Sequence, residues 1–146
     1  MKEARTIYTV GYQCVSLDEI ERAIEDTNSV LIDVRYMPAS RMPQFSRKRL
    51  SERFGPRYLW VKGFGNVNYK NGGPIEFFDL EFGIEEVRSV LETHSIMLMC
   101  QCPNLDQCHR KPLSEHLAKT FGLEVEHIGG KPRQQGAAPL ETAELF

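Results

Sequence analysis

Five segments of the chain have the residue pattern of β-strands. They are rich in β-branched, aliphatic or aromatic residues and are bounded by glycine or polar turns. The segments at 30–34 and 96–100 are almost continuously apolar, without the alternation of a strand that has one face in water. Such runs are typical of a parallel sheet covered on both faces. The predicted strands are 6–10, 30–34, 57–61, 96–100 and 123–128.

Between the strands, apolar residues recur at the spacing of helices that bury one face. The first helix begins at a capping box, in which Ser16 caps the first turn and Glu19 lies three residues later. The last helix has Pro112 in its first turn and ends at Gly122. Between these two lie a basic helix at 46–54 and a longer helix at about 76–93, in which Gly83 is a potential break.

The alternation of strands and helices predicts an α/β fold. We expect a single domain over residues 1–128, with a mainly parallel sheet of about five strands and helices on both faces. Right-handed crossovers place the carboxyl ends of parallel strands at one edge, and ligands bind outside that edge. The segment 129–146 is rich in Gly, Pro, Gln and Ala, and we expect a poorly ordered tail there.

The composition is that of a globular protein, with 41% hydrophobic and 26% charged residues among 146. No apolar run approaches the roughly 18 residues of a membrane helix, so we expect no membrane association. The N-terminus lacks the pattern of a secretory signal peptide, which favours a cytoplasmic location. In that location the four cysteines are expected to be reduced thiols.

Positive charge is concentrated in one part of the chain. The segment 35–62 contains eight basic residues and a single acidic one, Glu52, although the whole chain has a formal net charge of −2. This asymmetry favours an anionic partner, which would be a phosphate-bearing substrate, a nucleotide or a nucleic acid. The alternative is a solvated basic surface that acidic neighbours balance in the folded protein.

The densest group of reactive side chains lies between the strand at 96–100 and the last helix. Cys100 ends the strand, and Cys108, His109 and Arg110 precede the helix. A thiol near a cation and a helix N-terminus is shifted toward the reactive thiolate. We therefore predict Cys108 or Cys100 as the nucleophile and His109 as its acid/base partner, with Arg110 binding an anion.

Two other interpretations of these cysteines remain open. Cys100, Cys102, Cys108 and His109 could ligate zinc, although a Cys-x-Cys pair without a second paired knuckle is a poor match to known zinc sites. The cysteines could also pack as small apolar groups. We expect no cofactor, with zinc as the alternative.

Residues that follow the first two strands are expected at the same edge of the sheet as the cysteines. Gly11 and Tyr12 follow the first strand, and Asp33, Arg35 and Arg41 lie at or after the end of the second. Gly11, Tyr12, Asp33, Arg35 and Arg41 are therefore the candidates for binding the substrate anion. Asp33 and Arg35 could form an ion pair in the site, or a structural one.

These segments together resemble the family catalogued as domain of unknown function 488, from Ile7 to Ile128. The resemblance implies an α/β fold and an enzyme with a cysteine-containing site, without an established reaction. On its basis Ser40 joins the predicted anion-binding residues. The residues that carry it are Tyr8 and Gly11, Asp33-Val34-Arg35, Pro38 with Ser40-Arg41, Phe45, Leu50, and Cys100 with Cys108-His109-Arg110.

The chain departs from the usual pattern of this family at two places. Gly11-Tyr12-Gln13 stands where Gly-His-Ser is common, and Cys102 stands where an acidic residue is common. A looser likeness connects the order of strands with rhodanese-type sulfurtransferases, but the loop from Cys100 to Arg110 is longer than the rhodanese active-site loop.

The sequence supports three functional hypotheses. The first is an enzyme whose thiolate acts on a small phosphate-bearing or other anionic substrate. The second is a non-catalytic protein that binds nucleotides or nucleic acid through the basic segment 35–62. The third is a domain stabilised by zinc in the loop from Cys100 to His109.

Overall fold

The computed structural model describes residues 5–13, 15–101 and 108–128. The strands are β1 (Thr6–Gly11), β2 (Ser29–Asp33), β3 (Tyr58–Trp60), β4 (Ser95–Cys100) and β5 (Glu124–Ile128). The helices are α1 (Leu17–Thr27), α2 (Arg47–Phe54), α3 (Leu80–Val90) and α4 (Arg110–Phe121). The predicted α/β fold is confirmed. The predicted tail at 129–146 and Cys102 lie outside the described residues.

All five strands belong to one parallel sheet, in the order β3-β2-β4-β1-β5. Near the carboxyl ends, Gly11 pairs with Cys100, and Asp33 pairs with both Met99 and Trp60. These strands therefore end level with one another. The residues that follow them all emerge at one edge of the sheet.

Helices cover both faces, as predicted. In β2, Leu31 packs with the residues of α1 and α2, whereas Val30 and Ile32 pack with those of α3 and α4. The first apolar cluster includes Ile20, Ile24, Leu50, Phe54, Met97 and Met99. The second includes Ile84, Val87, Leu113, Leu117, Ile96 and Leu98. Adjacent strand residues belong to opposite clusters because side chains alternate across a strand.

The connections that follow the strands diverge at β4. The chain leaves β1 and β2 toward the α1/α2 face and leaves β4 toward the α3/α4 face. Because β4 lies between β2 and β1, its connection and those of its two neighbours lead to opposite faces of the sheet. Such a reversal of strand order is where ligands bind in open α/β sheets.

Two details of the predicted long helix are wrong. The segment 76–79 lies outside α3 because its backbone pairs with 63–67, through bonds such as Val67 N–H to the Glu76 carbonyl. Gly83 does not break the helix. A Cβ there would lie 2.6 Å from two ring carbons of Phe64, so glycine permits close packing inside a continuous helix.

The remaining helix ends follow the predicted signals. Ser16 caps α1 in a complete capping box with Glu19, and the Ser46 side chain accepts from the Arg49 N–H at the start of α2. Gly122 adopts a left-handed conformation after α4. None of the described helices is long and apolar enough to cross a membrane.

Candidate active site

The two described cysteines meet at the carboxyl edge of the sheet. Cys100 is the last residue of β4, and Cys108 lies two residues before α4 begins. Their sulfur atoms are 2.7 Å apart. Cys108 is 1% exposed and Cys100 is 2% exposed, and both belong to the apolar cluster under α3 and α4. The thiols are thus in direct contact and are shielded from water.

The hydrogen bonds of His109 determine which ring nitrogen faces the thiol. Its Nε2 is 2.7 Å from the Val34 carbonyl oxygen, and its Nδ1 is 3.9 Å from the Cys108 sulfur. A carbonyl only accepts hydrogen bonds, so Nε2 carries the proton of the neutral ring. Nδ1 then has a lone pair directed at Cys108 and is able to accept the thiol proton.

Arg110 contacts the same sulfur with its side chain and its backbone. Its Nε donates to the Cys108 Sγ at 3.2 Å, and its backbone N–H donates at 3.4 Å. The residue is only 2% exposed. Burial by itself lowers the pKa of Arg110, but its attraction to Cys100 and Cys108 outweighs burial and raises that pKa above its ordinary value.

A buried guanidinium requires compensating negative charge, because an isolated charge in a protein interior is costly. Charge-assisted donors such as Arg110 Nε also favour the thiolate over the neutral thiol. His109 on the other side of the sulfur is able to take its proton. The arrangement is therefore suited to a thiolate at Cys108 inside the fold.

The same residues include the three described members of the predicted zinc set. Sγ of Cys100, Sγ of Cys108 and a ring nitrogen of His109 lie within 4.8 Å of one another. The bond from His109 to a backbone carbonyl is also typical of a metal ligand. Tetrahedral zinc, however, would hold two sulfurs about 3.8 Å apart. The observed contact of 2.7 Å is much closer than that, so the pair would have to open to hold a metal.

A second polar group lies on the α1/α2 side of the same edge. The Asp33 carboxylate is fully buried and accepts hydrogen bonds from Nε and Nη2 of Arg35 at 2.7 and 2.6 Å. Tyr58 donates its hydroxyl to the same carboxylate at 2.5 Å. Burial and the negative charge of Asp33 raise the pKa of Tyr58 well above its ordinary value.

Arg35 retains one donor that the ion pair with Asp33 does not use. Burial lowers the pKa of Arg35, but the hydrogen bonds and charge of Asp33 raise it by more, so the guanidinium is firmly charged. The residue is 6% exposed, and its Nη1 has no hydrogen-bond partner among the residues that the structure describes. A buried donor of this kind is unusual and suits an anion that the protein binds.

The Tyr12 ring lies beside this guanidinium and connects it to Ser40. The Arg35 guanidinium carbon is 5.5 Å from the centre of the Tyr12 ring, and the Tyr12 hydroxyl donates to the Ser40 Oγ at 2.9 Å. The Tyr12 ring stacks on Phe45, with 4.1 Å between ring centres. Tyr12, Arg35 and Ser40, which were predicted together, are thus brought together, whereas Arg41 is exposed on the loop before α2.

The cysteine group and the Arg35 group flank the end of β4 on opposite faces of the sheet. Backbone hydrogen bonds connect them. His109 donates to the Val34 carbonyl, and the Tyr12 N–H donates to the Cys100 carbonyl at 3.0 Å. The structure therefore brings the predicted residues to one edge but distributes their side chains between two sides of it.

Part of the basic segment has partners within the folded protein. Arg53 pairs with Asp18 and Glu21, and Arg57 donates to the Ser29 carbonyl. The Lys62 ammonium lies over three aromatic rings. The other exposed basic side chains of this segment are Arg41 in the loop before α2, and Arg47, Lys48 and Arg49 at the start of α2.

Sequence reasoning missed two participants in the site. Tyr58 was not among the predicted site residues, but the parallel pairing of β3 with β2 brings its hydroxyl to Asp33. Sequence reasoning also did not anticipate that the Val34 carbonyl fixes the proton on His109. The sequence contains one signal for Tyr58: it lies in a predicted strand, and that strand could pair with the strand that ends at Asp33.

Comparison with known proteins gives one match. The family model described as "Domain of unknown function DUF488" matches residues 17–71, which confirms the resemblance over that segment. The match spans α1 to the glycine-rich loop after β3 and includes Asp33, Arg35, Ser40 and Arg41, but not the segment from Cys100 to Arg110. No curated protein and no solved structure matches the chain.

Proposed function

We propose that this protein is an enzyme that uses the Cys108 thiolate as a nucleophile on a small anionic substrate, with a phosphate ester as the preferred class. The observation that carries the proposal is the set of contacts at one sulfur. Cys108 Sγ has a guanidinium nitrogen at 3.2 Å, a backbone N–H at 3.4 Å and an imidazole nitrogen at 3.9 Å. Nucleophile, base and a group that orients the base are the recurring parts of thiol catalysis.

Each part has a defined role in the proposed reaction. His109 Nδ1 accepts the Cys108 proton, and the Val34 carbonyl keeps the ring oriented through Nε2. Sγ forms a bond to the phosphorus of the ester as the bond from phosphorus to the leaving oxygen breaks, and His109 gives its proton to that oxygen. Water then attacks the phosphorus, which releases phosphate and restores Cys108. Arg110 stabilises the negative charge on sulfur before the attack.

The preference for an anion rests on the Arg35 group. Arg35 Nη1 is a buried, charged donor without a partner in the described part of the chain, and the Tyr12 ring, whose hydroxyl bonds to Ser40, lies beside the guanidinium. A substrate phosphate bound there would lie at the carboxyl edge of the sheet, where β4 ends at Cys100. Such an anion would satisfy the unused donor.

The first prediction concerns the reactivity of the thiol. Iodoacetamide labelling of Cys108 should reach half its maximal rate at a lower pH in the folded protein than in urea-unfolded protein, because the fold favours its thiolate; restricted access to the buried sulfur slows the labelling at every pH and leaves this midpoint unchanged. His109→Gln keeps a donor for the Val34 carbonyl but removes the base, so labelling at neutral pH should slow by about tenfold or more. Peptide mapping of labelled Cys108 measures the rates, and Cys108→Ser should abolish that signal.

Inorganic phosphate provides the test of the anion site. Phosphate should slow Cys108 labelling in the native protein, and Arg35→Lys should weaken this protection because lysine lacks the planar fork. Arg49→Lys is the matched control, since Arg49 is exposed on α2. The same pH midpoint for Cys108 labelling in folded and unfolded protein would refute the thiolate proposal. Protection unchanged by Arg35→Lys would refute the anion site alone.

A second candidate is binding of nucleic acid by the exposed basic residues 41–49. An open depression beside α2 is lined by Ser40, Ser46, Arg47 and Lys48, among others. If this surface binds oligonucleotides, affinity should fall steeply with salt, with a slope that corresponds to about three or four phosphates. Fluorescence anisotropy with a labelled oligonucleotide measures this, and no binding at low salt would exclude the candidate.

A further inference from the structure

We infer that Cys100 and Cys108 form a redox pair, in which a peroxide oxidises Cys108 and Cys100 then closes a disulfide. The inference rests on the proposed function in one respect, because it requires Cys108 to be the reactive thiolate. It adds a second reaction for the same sulfur and assigns Cys100 the role of resolving thiol.

The position of Cys100 carries the inference. Its sulfur is 2.7 Å from that of Cys108, whereas a disulfide bond is about 2.05 Å long. Both cysteines also lie beside regular secondary structure. Cys100 is the last residue of the central strand β4, and Cys108 lies two residues before α4 begins. A small movement along the line between the two sulfurs would form the bond, whereas zinc would require them to separate.

The position of His109 suits Cys108 to react first. Arg110 interacts with both sulfurs, but Cys108 also has His109 Nδ1 at 3.9 Å and the Arg110 backbone N–H at 3.4 Å. Cys100 lies against Cys108 on the side of β4, so it is placed to attack Cys108 once that sulfur has been oxidised. Reactive cysteines poised beside a resolving cysteine are typical of redox-sensitive sites.

The reaction balances with hydrogen peroxide as the oxidant. The Cys108 thiolate attacks one peroxide oxygen, the O–O bond breaks, and hydroxide leaves as Cys108 becomes a sulfenic acid. This hydroxide takes the proton that His109 accepted from Cys108 and becomes water. Cys100 sulfur then attacks Cys108 sulfur and displaces hydroxide, which takes up the Cys100 proton to form water. In total, two thiols and one hydrogen peroxide become one disulfide and two waters, and the two electrons lost by the sulfurs reduce the peroxide.

The burial of the pair determines which oxidants fit. With exposures of 1% and 2%, the sulfurs offer almost no surface to a bulky disulfide such as oxidised glutathione. Hydrogen peroxide is little larger than water, so it requires far less opening of the fold. We therefore expect oxidation by hydrogen peroxide to be much faster than exchange with oxidised glutathione.

The experiment uses the full chain with Cys14→Ser and Cys102→Ser, so that Cys100 and Cys108 are the two cysteines left. Hydrogen peroxide should remove two hydrogen atoms from the intact mass, and dithiothreitol should restore them. Adding Cys100→Ser should prevent this change and give a dimedone adduct at Cys108, the sulfenic acid that can no longer be resolved. Cys100→Ala should give the same result as Cys100→Ser, and thermal unfolding of both variants shows whether they are folded.

Several outcomes would overturn the inference. One is a dimedone adduct at Cys108 that forms equally with and without Cys100. Another is a Cys108 that reacts with iodoacetamide but not with peroxide. Either result would leave the proposed function standing. A Cys108 inert to both reagents would overturn the inference and the proposed function together. One equivalent of zinc in the purified protein, with thiols released only by a chelator, would replace the redox pair by a metal site.

Discussion

The buried carboxylate of Asp33 depends on side chains from two different strands. Arg35 supplies two nitrogen donors from the residues just after β2, and Tyr58 supplies a hydroxyl from β3. Hydrogen bonds to charged groups each contribute roughly 1.5–3 kcal/mol to stability, and an unpaired buried carboxylate is far costlier. The cluster therefore combines a structural role with the placement of Arg35 at the carboxyl edge of the sheet.

Substitution of Tyr58 tests this cluster through its dependence on pH. Tyr58→Phe should lower the free energy of unfolding by about 1.5–3 kcal/mol at neutral pH, because Asp33 loses a donor. The folded state also holds the Tyr58 proton more tightly than the unfolded chain, which gives it up near pH ~10. The stability that this proton provides is therefore complete below that pH and is lost as the pH rises further.

Urea unfolding at a series of pH values measures the effect. The gap between the native protein and Tyr58→Phe should be largest at neutral pH and should narrow above pH ~10. Tyr69→Phe is the control, because the Tyr69 side chain is 48% exposed. A gap that widens at alkaline pH would contradict the assigned hydrogen bond.

At the scale of elements, α3 shows how a tertiary contact reverses a local preference. Replacing glycine by alanine inside a helix ordinarily stabilises it by about 1 kcal/mol. In α3 the added Cβ at position 83 would lie 2.6 Å from the Phe64 ring, which is fully buried. Gly83→Ala should therefore destabilise the protein by about 1–3 kcal/mol.

Ser89→Ala is the matched control for this substitution. Ser89 is exposed on the same helix, so alanine there should leave stability unchanged or slightly raise it. Urea denaturation of the two variants gives the comparison. A stabilising Gly83→Ala would show that the Phe64 ring moves aside at little cost.

The same scale shows what the sequence could predict. Caps and periodicity located α1, α2 and α4 because those signals are local, as at Ser16 and Gly122. The start of α3 at Leu80 depends on 76–79 pairing with 63–67, which no local signal reports. The proximity of Cys100 to Cys108 was predictable from a strand end followed by a helix start. The separation of Cys108 and Arg35 by the sheet was not, because it depends on which face each connection takes.

At the scale of the whole molecule, β4 is the centre of the sheet. It pairs with β2 on one side and β1 on the other, and all six of its residues are buried. β5 is an edge strand with mostly exposed or half-buried residues. Local opening should therefore reach β4 last.

Hydrogen exchange should reflect this order. Amides of β4 should exchange most slowly, at rates close to those set by global unfolding, and those of β5 should exchange faster. Residue-resolved exchange measured by NMR makes the comparison, with the β1 amides as an internal reference. Exchange of β4 as fast as that of β5 would mean that the cysteine edge opens independently of the core.

The peptide unit between Val34 and Arg35 serves both sides of the sheet at once. Its carbonyl accepts the His109 Nε2–H on one face, while its N–H donates to Asp33 Oδ1 on the other at 3.2 Å. An anion that pulled on the Arg35 guanidinium would tilt this single planar group, because a peptide rotates as one body. The tilt would weaken the anchor of the imidazole, so occupancy on one face would be transmitted to the reactivity of sulfur on the other.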